Sequence, residues 1–478
     1  MKIIIDLLRS FFDYGLFFYA VLTFLSYLIL AVFSGFAMMF YIRKNKYIDY
    51  KAILTSPYAP SVSILAPAYN EGATIINNVR SLLSMHYADF EVIIINDGSK
   101  DNTLEEIIED YHLVKVDFAI NYRIPCNEIR GVYKSTNKAF SKLIVVDKIN
   151  GGKADALNAG INISSNKLFM AIDVDCIVEQ DGILKMVKPF MEENAKVKVI
   201  ASGGVVRIAN SCIVENGKIV KVYYPDEFLA RFQVLEYFRA FILGRMAWSK
   251  LNGLLLISGA FGMFDRELAV KAGGYYKETV GEDMELVVRM RRYMHEHKLG
   301  DYKVTFIPDP LCWTEVPDSI KVLSRQRNRW TRGTIDTLSI HRKLFLNPKY
   351  GLLGFVSFPY WLTFEWLAPF VEFFGLIYFF VLLFLGQVNV EFFLILLLFV
   401  ISFAMMFSVW SIFFEEYTYH QYNRKGDFRK LLLYAFLEPF VYHPMIVWFA
   451  LRGNWDYFIK KQRHGWGEMT RKGFKKAS

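Results

Sequence analysis

Residues 168–176, LFMAIDVDC, decide how the middle of this 478-residue chain folds. The apolar run Leu168–Ile172 is unbroken and stops at Asp173-Val174-Asp175. A short continuous apolar run of this kind reads as a strand buried on both faces, as in a parallel sheet. Upstream, KLIVVDKINGGKADALNAG (142–160) has the same form, with a Gly turn and then a helix. EVIIINDGSKDNT (91–103) and SVSILAPAYNE (61–71) repeat it, with helical stretches such as 74–85 and 101–110 between strands. Alternating strands and helices predict a doubly wound, mostly parallel α/β sheet. Ligands bind such sheets at the carboxyl ends of the strands, where Asp97, Asp173 and Asp175 fall.

Outward from this domain the solvent changes. Hydrophobic residues make up 54% of the chain and aromatics 17%, and the mean hydropathy is +0.23. The excess sits at the two ends. Tyr14 to Ile42 carries no charge. That is about 29 residues, where about 20 cross the hydrocarbon layer. It is too long for a signal-peptide core. Residues 1–13 read as a short interfacial segment before it. Arg43, Lys44, Lys46 and Lys51 follow the span, so the positive-inside rule puts this end in the cytosol and the N-terminus outside.

After Tyr350, residues 352–372 mix Trp361, Trp366, Glu365 and Glu372 with Pro359 and Pro369. That mixture predicts an interfacial segment or a broken helix. Apolar sequence continues over 373–386, and 391–414 is another span. The loop 415–430 carries Arg424, Lys425, Arg429 and Lys430 and reads as inside. The last run, 431–451, contains Glu438, Pro439, His443 and Pro444. A Pro-broken hairpin is preferred there, because one full crossing would place the basic tail (Arg452, Lys460, Lys461, Arg463, Arg471, Lys472) outside. The expected division is 1–50 interfacial and transmembrane, 51–350 catalytic, 351–451 interfacial and transmembrane, and 452–478 a basic cytosolic tail.

The formal net charge is +9. The basic residues cluster beside apolar helices, which points to anionic membrane lipids and away from nucleic acid. Cys126, Cys176, Cys212 and Cys312 lie far apart without metal-ligand spacing. They read as reduced thiols, with no disulfide framework and no zinc site.

Asp173 and Asp175, two residues apart at a strand end, share a face and suit a hard divalent cation bridging to a diphosphate. Two solvated loop acids are the competing reading. Asp97 opens Asp-Gly-Ser, which is either a turn-former or an acceptor for a nucleobase or ribose. Lys153 follows Gly151-Gly152 and is either solvated or a phosphate cation. Glu282-Asp283 precedes a helical run, as N-terminal acids that favour the helix dipole or as a general base for an acceptor hydroxyl. In Gln326-Arg327-Asn328-Arg329-Trp330, Gln326 and Arg329 share one helical side. With Trp330 beside them they offer an amide, a bidentate cation and a stacking ring. A basic interfacial helix start is the alternative.

Asp-Gly-Ser, Gly-Gly-Lys, Asp-x-Asp, Gly-Glu-Asp and Gln-x-x-Arg-Trp occur in that order between apolar ends. In this the chain resembles processive membrane glycosyltransferases of family 2, the group of poly-N-acetylglucosamine, cellulose, chitin and hyaluronan synthases. The resemblance covers roughly residues 60–345. It implies a glycosyltransferase A-type domain in the inner (cytoplasmic) membrane, multi-pass, with the catalytic part cytosolic. It implies that Pro67, Tyr69, Glu71 and Asp97 hold the uridine, with Lys153 and Asp155 also on the donor. Asp173 would face the diphosphate, Asp175 would hold Mg²⁺ or Mn²⁺, and Asp283 would be the base with Glu282 its companion. Arg329 would meet the diphosphate, and Gln326 and Trp330 the acceptor. ISGAFGMF (257–264), with Gly259 and Phe261, would border the acceptor.

The implied reaction is inverting transfer from a UDP-sugar to a growing β-linked polysaccharide. The polymer would leave through a channel lined by groups such as Glu365 and Glu438. The resemblance leaves room for accessory export subunits and does not extend to cyclic-dinucleotide control. It departs at Gly281, where cellulose synthases have Thr. Single transfer to a membrane lipid is the nearer alternative. A transporter or scaffold that only binds the nucleotide sugar is the alternative of another class.

Overall fold

A computed structural model describes residues 2–192, 196–215, 217–462 and 475–476. The apolar runs become strands: β1 Val62–Ala68, β2 Phe90–Asn96, β3 Leu113–Val116, β4 Ile129–Ser135, β5 Leu143–Lys148 and β6 Leu168–Ile172. After them come β7 Ile177–Val178, β8 Val197–Ile208, a hairpin of β9 Ile213–Glu215 and β10 Lys218–Lys221, then β11 Phe261–Asp265 and β12 Asp301–Thr314.

Ten of these form one sheet in the order β3-β4-β5-β2-β1-β6-β11-β8-β12-β7. The centre, β5-β2-β1-β6, is parallel throughout. Ile93, Ile94, Ile95, Val145 and Phe169 on these strands have 0% exposure, which is why each reads as an unbroken apolar run. Beyond β6 the sheet becomes mixed. β11 runs antiparallel between β6 and β8, while β8 and β12 pair in parallel. In the parallel centre Ala68 pairs with Asn96, and Asn96 with Asp147. The loops after β1, β2, β5 and β6 therefore leave from one edge of the sheet, and the site is built on that edge.

Among the described residues three helices are long and apolar enough to cross a membrane: Phe12–Asn45, Val390–Thr418 and Asp427–Phe458. A fourth candidate is the pair Leu353–Trp366 and Ala368–Phe384, bent by 41°. That bend bears out the broken helix expected over 352–372. The opening segment is not a separate element, because a single helix runs from Lys2 to Asn45. Phe36, Phe40, Phe384 and Leu398 are exposed on these helices, a surface that suits lipid. All four cysteines are free.

The hairpin expected over 431–451 is not formed. Asp427–Phe458 is one continuous helix with Pro439 and Pro444 inside it. Each proline removes one backbone donor, but side chains on the catalytic domain hold the helix along its length. Arg231 donates to the Tyr434 hydroxyl at 3.0 Å, and Arg239 makes a two-pronged pair with Glu438. The Tyr442 hydroxyl donates to Glu236 at 2.6 Å, and Asn328 Nδ2 to Asp456 at 2.7 Å. Arg332 reaches the Gln462 carbonyl at 3.1 Å. The helix therefore runs along the catalytic domain and returns the chain to it without a hairpin. Arg463, Arg471 and Lys472 of the expected tail lie outside the described residues.

Candidate active site

The loops after β1 and β2 are laced together. Asn70 N donates to Ser99 Oγ at 3.0 Å, Lys100 N to Asn70 Oδ1 at 2.8 Å, and Asp97 N to the Ala68 carbonyl at 2.9 Å. This brings Pro67, Tyr69, Glu71 and Asp97 to one wall, with Tyr69 exposed on it. Asp97 itself is buried. Its Oδ1 accepts from Lys148 Nζ at 2.5 Å and Gly151 N at 3.0 Å, and its Oδ2 from Gly152 N at 2.8 Å. The carboxylate thus holds the Gly-Gly turn that launches the helix Lys153–Ile163. At Gly152, φ is +83°, a conformation open to glycine.

Asp155 lies beneath the cleft, not in it. It is fully buried, ion-paired to Lys148 at 2.7 Å and Lys277 at 3.0 Å, and accepts from Asn127 N at 3.1 Å. Its carboxylate is taken up inside the protein, so the geometry separates it from the donor-contacting role expected of it. Lys148 bridges Asp97 and Asp155 with no exposure. Nothing local in the sequence distinguishes this lysine from a solvated one at a strand end.

Lys153 points across the cleft. Its ammonium pairs with Asp173, donates to the Gly259 carbonyl at 3.0 Å and lies 3.8 Å from Glu282. Burial alone would lower its pKa, but Asp173 and Glu282 outweigh burial and hold it above the usual range. Asp173, Asp175 and Cys176 bring potential ligand atoms within 4.8 Å of one another. The Cys176 thiol is pushed well up by its hydrogen bond to Cys312 and by burial. It therefore stays protonated, and the two carboxylates are the hard donors that fit a divalent ion.

Asp283 stands in the first turn of the helix Glu282–Glu296. Its Oδ2 accepts from Gly259 N at 2.9 Å and its Oδ1 from Met284 N at 2.8 Å, so the carboxylate is oriented from both sides. Gly259 is wedged between the two working groups. A Cβ there would stand 3.1 Å from Lys153 Nζ and 3.2 Å from Asp283 Oδ2. Phe261, also expected at the acceptor, is fully buried in β11. Its ring packs where a Cβ on Gly204 would lie, 2.5 Å away, on the helix-covered face of the sheet. Ser258, Gly259 and Ala260 line the cleft instead.

Burial, opposed by Lys153, pushes Glu282 up to about 7. Its ordinary value is 4.5. The folded state then binds this proton more tightly than the unfolded one. This contribution to stability is present below about 4.5 and is lost as pH rises through about 7. Glu282→Gln should flatten that slope in thermal melts taken across the window. An unchanged slope would mean that Glu282 is ionised throughout.

The third wall is the helix Ile320–Ile340. Gln326, Arg329 and Trp330 all line the cavity, as their i, i+3, i+4 spacing requires. Arg327 turns the other way. It pairs with Glu236 at 2.6 and 2.8 Å and sits 4.1 Å over the Trp330 ring, so it steadies the indole. This helix meets the start of the Asp283 helix backbone to backbone, since a Cβ on Gly281 would lie 2.7 Å from Gly333 Cα.

The elements that carry Lys153, Asp283 and Gln326 border a cavity of about 860 Å³, whose lining leaves out Pro67, Tyr69, Glu71, Asp97 and Asp175. It runs from Lys153, Asp173 and Asp283 past Trp330 to Tyr27 of the first helix, Trp361 and Glu365 of the bent pair, and Phe407. Glu365 lines it as expected. Glu438 does not; it is held by Arg239.

A family model described as glycosyltransferase-like family 2 matches residues 59–333. Poly-beta-1,6-N-acetyl-D-glucosamine synthase from Staphylococcus epidermidis is 29% identical over 279 residues, 58% of this chain and 55% of that protein. The enzyme of the same name from Staphylococcus aureus is 29% identical over 308 residues, 64% of this chain and 62% of that one. The match thus spans less than two thirds of the length of these curated relatives. A mannosyltransferase from Pyrobaculum calidifontis, solved with GDP-Man and Mn²⁺, shares the fold at a TM-score of 0.50 and 16% identity. It covers 93% of this chain and 99% of its own.

Proposed function

The chain belongs to glycosyltransferase-like family 2, and from that premise we propose that it builds a β-linked polysaccharide from a UDP-sugar at the cytosolic face of the cytoplasmic membrane. The wall formed by Pro67, Tyr69 and Glu71 takes the uridine, and Asp97, buried behind it, holds the Gly151-Gly152 turn in place. Lys153 and Arg329 take charge that develops on the diphosphate as it leaves. Asp175 and Asp173 would hold a divalent ion, Mg²⁺ or Mn²⁺, and the charge it supplied would neutralise diphosphate oxygens.

Asp283 accepts the proton of the acceptor hydroxyl. That oxygen bonds to the anomeric carbon while the bond to the diphosphate oxygen breaks on the opposite side. Configuration inverts, so an α-linked donor gives a β-linkage. Trp330 offers its face to the acceptor sugar and Gln326 its amide. The names of the similar staphylococcal enzymes favour N-acetylglucosamine as the sugar.

The observation that carries the polymer reading is the cavity's continuity from Asp283 past Trp361 and Glu365 of the bent pair to Tyr27 and Phe407 on helices of membrane-spanning length. A lengthening chain needs such a route, and polar backbone or side chains at that depth are tolerated where they line a cavity. Purified protein in lipid nanodiscs should be incubated with radiolabelled UDP-N-acetylglucosamine, UDP-glucose or UDP-galactose. One of them should yield a high-molecular-weight product cut by a β-specific glycosidase. Label found only in short glycolipid would sink the polymer reading in favour of single transfer.

A further inference from the structure

We propose that Arg245 is an acceptor-binding residue, which grips the growing glycan just inside the catalytic carboxylates; this rests on the polysaccharide reading above. Arg245 lies in the helical segment Phe238–Arg245 and lines the cavity. Its guanidinium stacks 4.0 Å from the centre of the Phe241 ring. Among the described residues no carboxylate pairs with it, and its Nη1 is buried without a hydrogen-bond partner. The neighbouring arginines on this side are paired, Arg239 to Glu438 and Arg327 to Glu236. A buried cation without a partner is costly to keep, so its place on a cavity wall suggests a ligand that satisfies it.

The same cavity carries two more deficits. Trp361 Nε1 and Gln326 Oε1 are buried without partners among the described residues. The lining that Arg245 shares with Gln326, Tyr237, Trp248 and Trp361 matches a ligand that is amphipathic by face. A sugar ring offers hydroxyl and acetamido oxygens at its rim and C–H groups on its faces. A diphosphate offers only acceptors, and Lys153 and Arg329 already provide cations for it at the Asp173 end. Burial lowers the Arg245 pKa to about 10, so the side chain remains a charged donor at neutral pH.

The test uses full-length Arg245→Gln and Arg245→Lys protein in nanodiscs. It reads KM for a short β-linked N-acetylglucosamine oligomer, KM for UDP-N-acetylglucosamine, and donor hydrolysis without acceptor. R245Q should raise the oligomer KM about tenfold or more, the loss expected for a charge-assisted hydrogen bond, and shorten the polymer. Donor KM and donor hydrolysis should stay within twofold of wild type. R245K keeps the charge without the planar fork and should fall between the two; it is the second variant if R245Q does not fold.

A rise in donor KM instead would make Arg245 a diphosphate residue and overturn the assignment. An unchanged oligomer KM with a shifted acid limb in the kcat–pH profile would also overturn it, making Arg245 an electrostatic support for Asp283. Failure of wild-type protein to elongate any oligomer would overturn the polymer reading and this assignment together. Wild-type elongation with an unaffected R245Q would overturn this assignment alone.

Discussion

Asp283→Asn should lower kcat by about 10³-fold, within the 10²–10⁴ range for a general base, with the affinity for UDP-sugar unchanged. The substitution is nearly isosteric, and an amide oxygen can still accept from Gly259 N or Met284 N, the two bonds that orient Asp283. What is lost is the ability to take the acceptor proton. That need arises only as the new bond forms, so the loss falls on kcat and on kcat/KM equally. Steady-state kinetics beside isothermal titration with the UDP-sugar separates the two quantities. Full turnover by the variant would remove Asp283 from the mechanism. Tight donor binding with no turnover in wild type as well would favour a transporter or scaffold.

Gly281→Ala should cost about 10²-fold in kcat and about 1–3 kcal/mol of stability. The new Cβ would meet Gly333 at 2.7 Å from Cα, 2.8 Å from the carbonyl carbon and 2.9 Å from its oxygen. These are backbone atoms on a helix and cannot rotate away. The helices Glu282–Glu296 and Ile320–Ile340 must part by most of an ångström, moving Asp283 relative to Gln326, Arg329 and Trp330. Gly333→Ala meets Gly281 at the same 2.7 Å and should behave alike. Gly15→Ala, with nothing within 4 Å of its Cβ inside the first helix, should leave the rate unchanged and should not lower the melting temperature. An active, stable G281A protein would show that the two helices tolerate separation.

Of the candidate site, the residues at strand ends and on one helical face were legible. Lys153 and Asp173 follow Gly turns or apolar strands, and Gln326, Arg329 and Trp330 have the i, i+3, i+4 spacing. All five line the cavity with Asp283 and Gly259. Asp155 and Phe261 were not placed correctly. The resemblance puts Asp155 on the donor beside Lys153, but Lys148 and Lys277 take up its carboxylate from elsewhere in the chain. Phe261 sits in a motif that does border the cleft, yet β11 turns its ring to the covered face. One residue's difference in strand position reverses the face, and the pairing with β6 and β8 decides it.

The sequence by itself determined the parallel strands, the order of the motifs and the apolar ends. Each of these is a local matter of period, strand-end chemistry or run length, written in neighbouring residues. The tertiary structure alone decided the rest. It decided that Asp97 clasps the Gly-Gly turn while pairing with Lys148, that Gly281 touches Gly333, and that 427–458 stays one helix despite two prolines. It also placed Arg245 in the cavity lining with no ion pair among the described residues. These are contacts between residues far apart in the chain, and only the packing of helices on the sheet brings them within bonding distance.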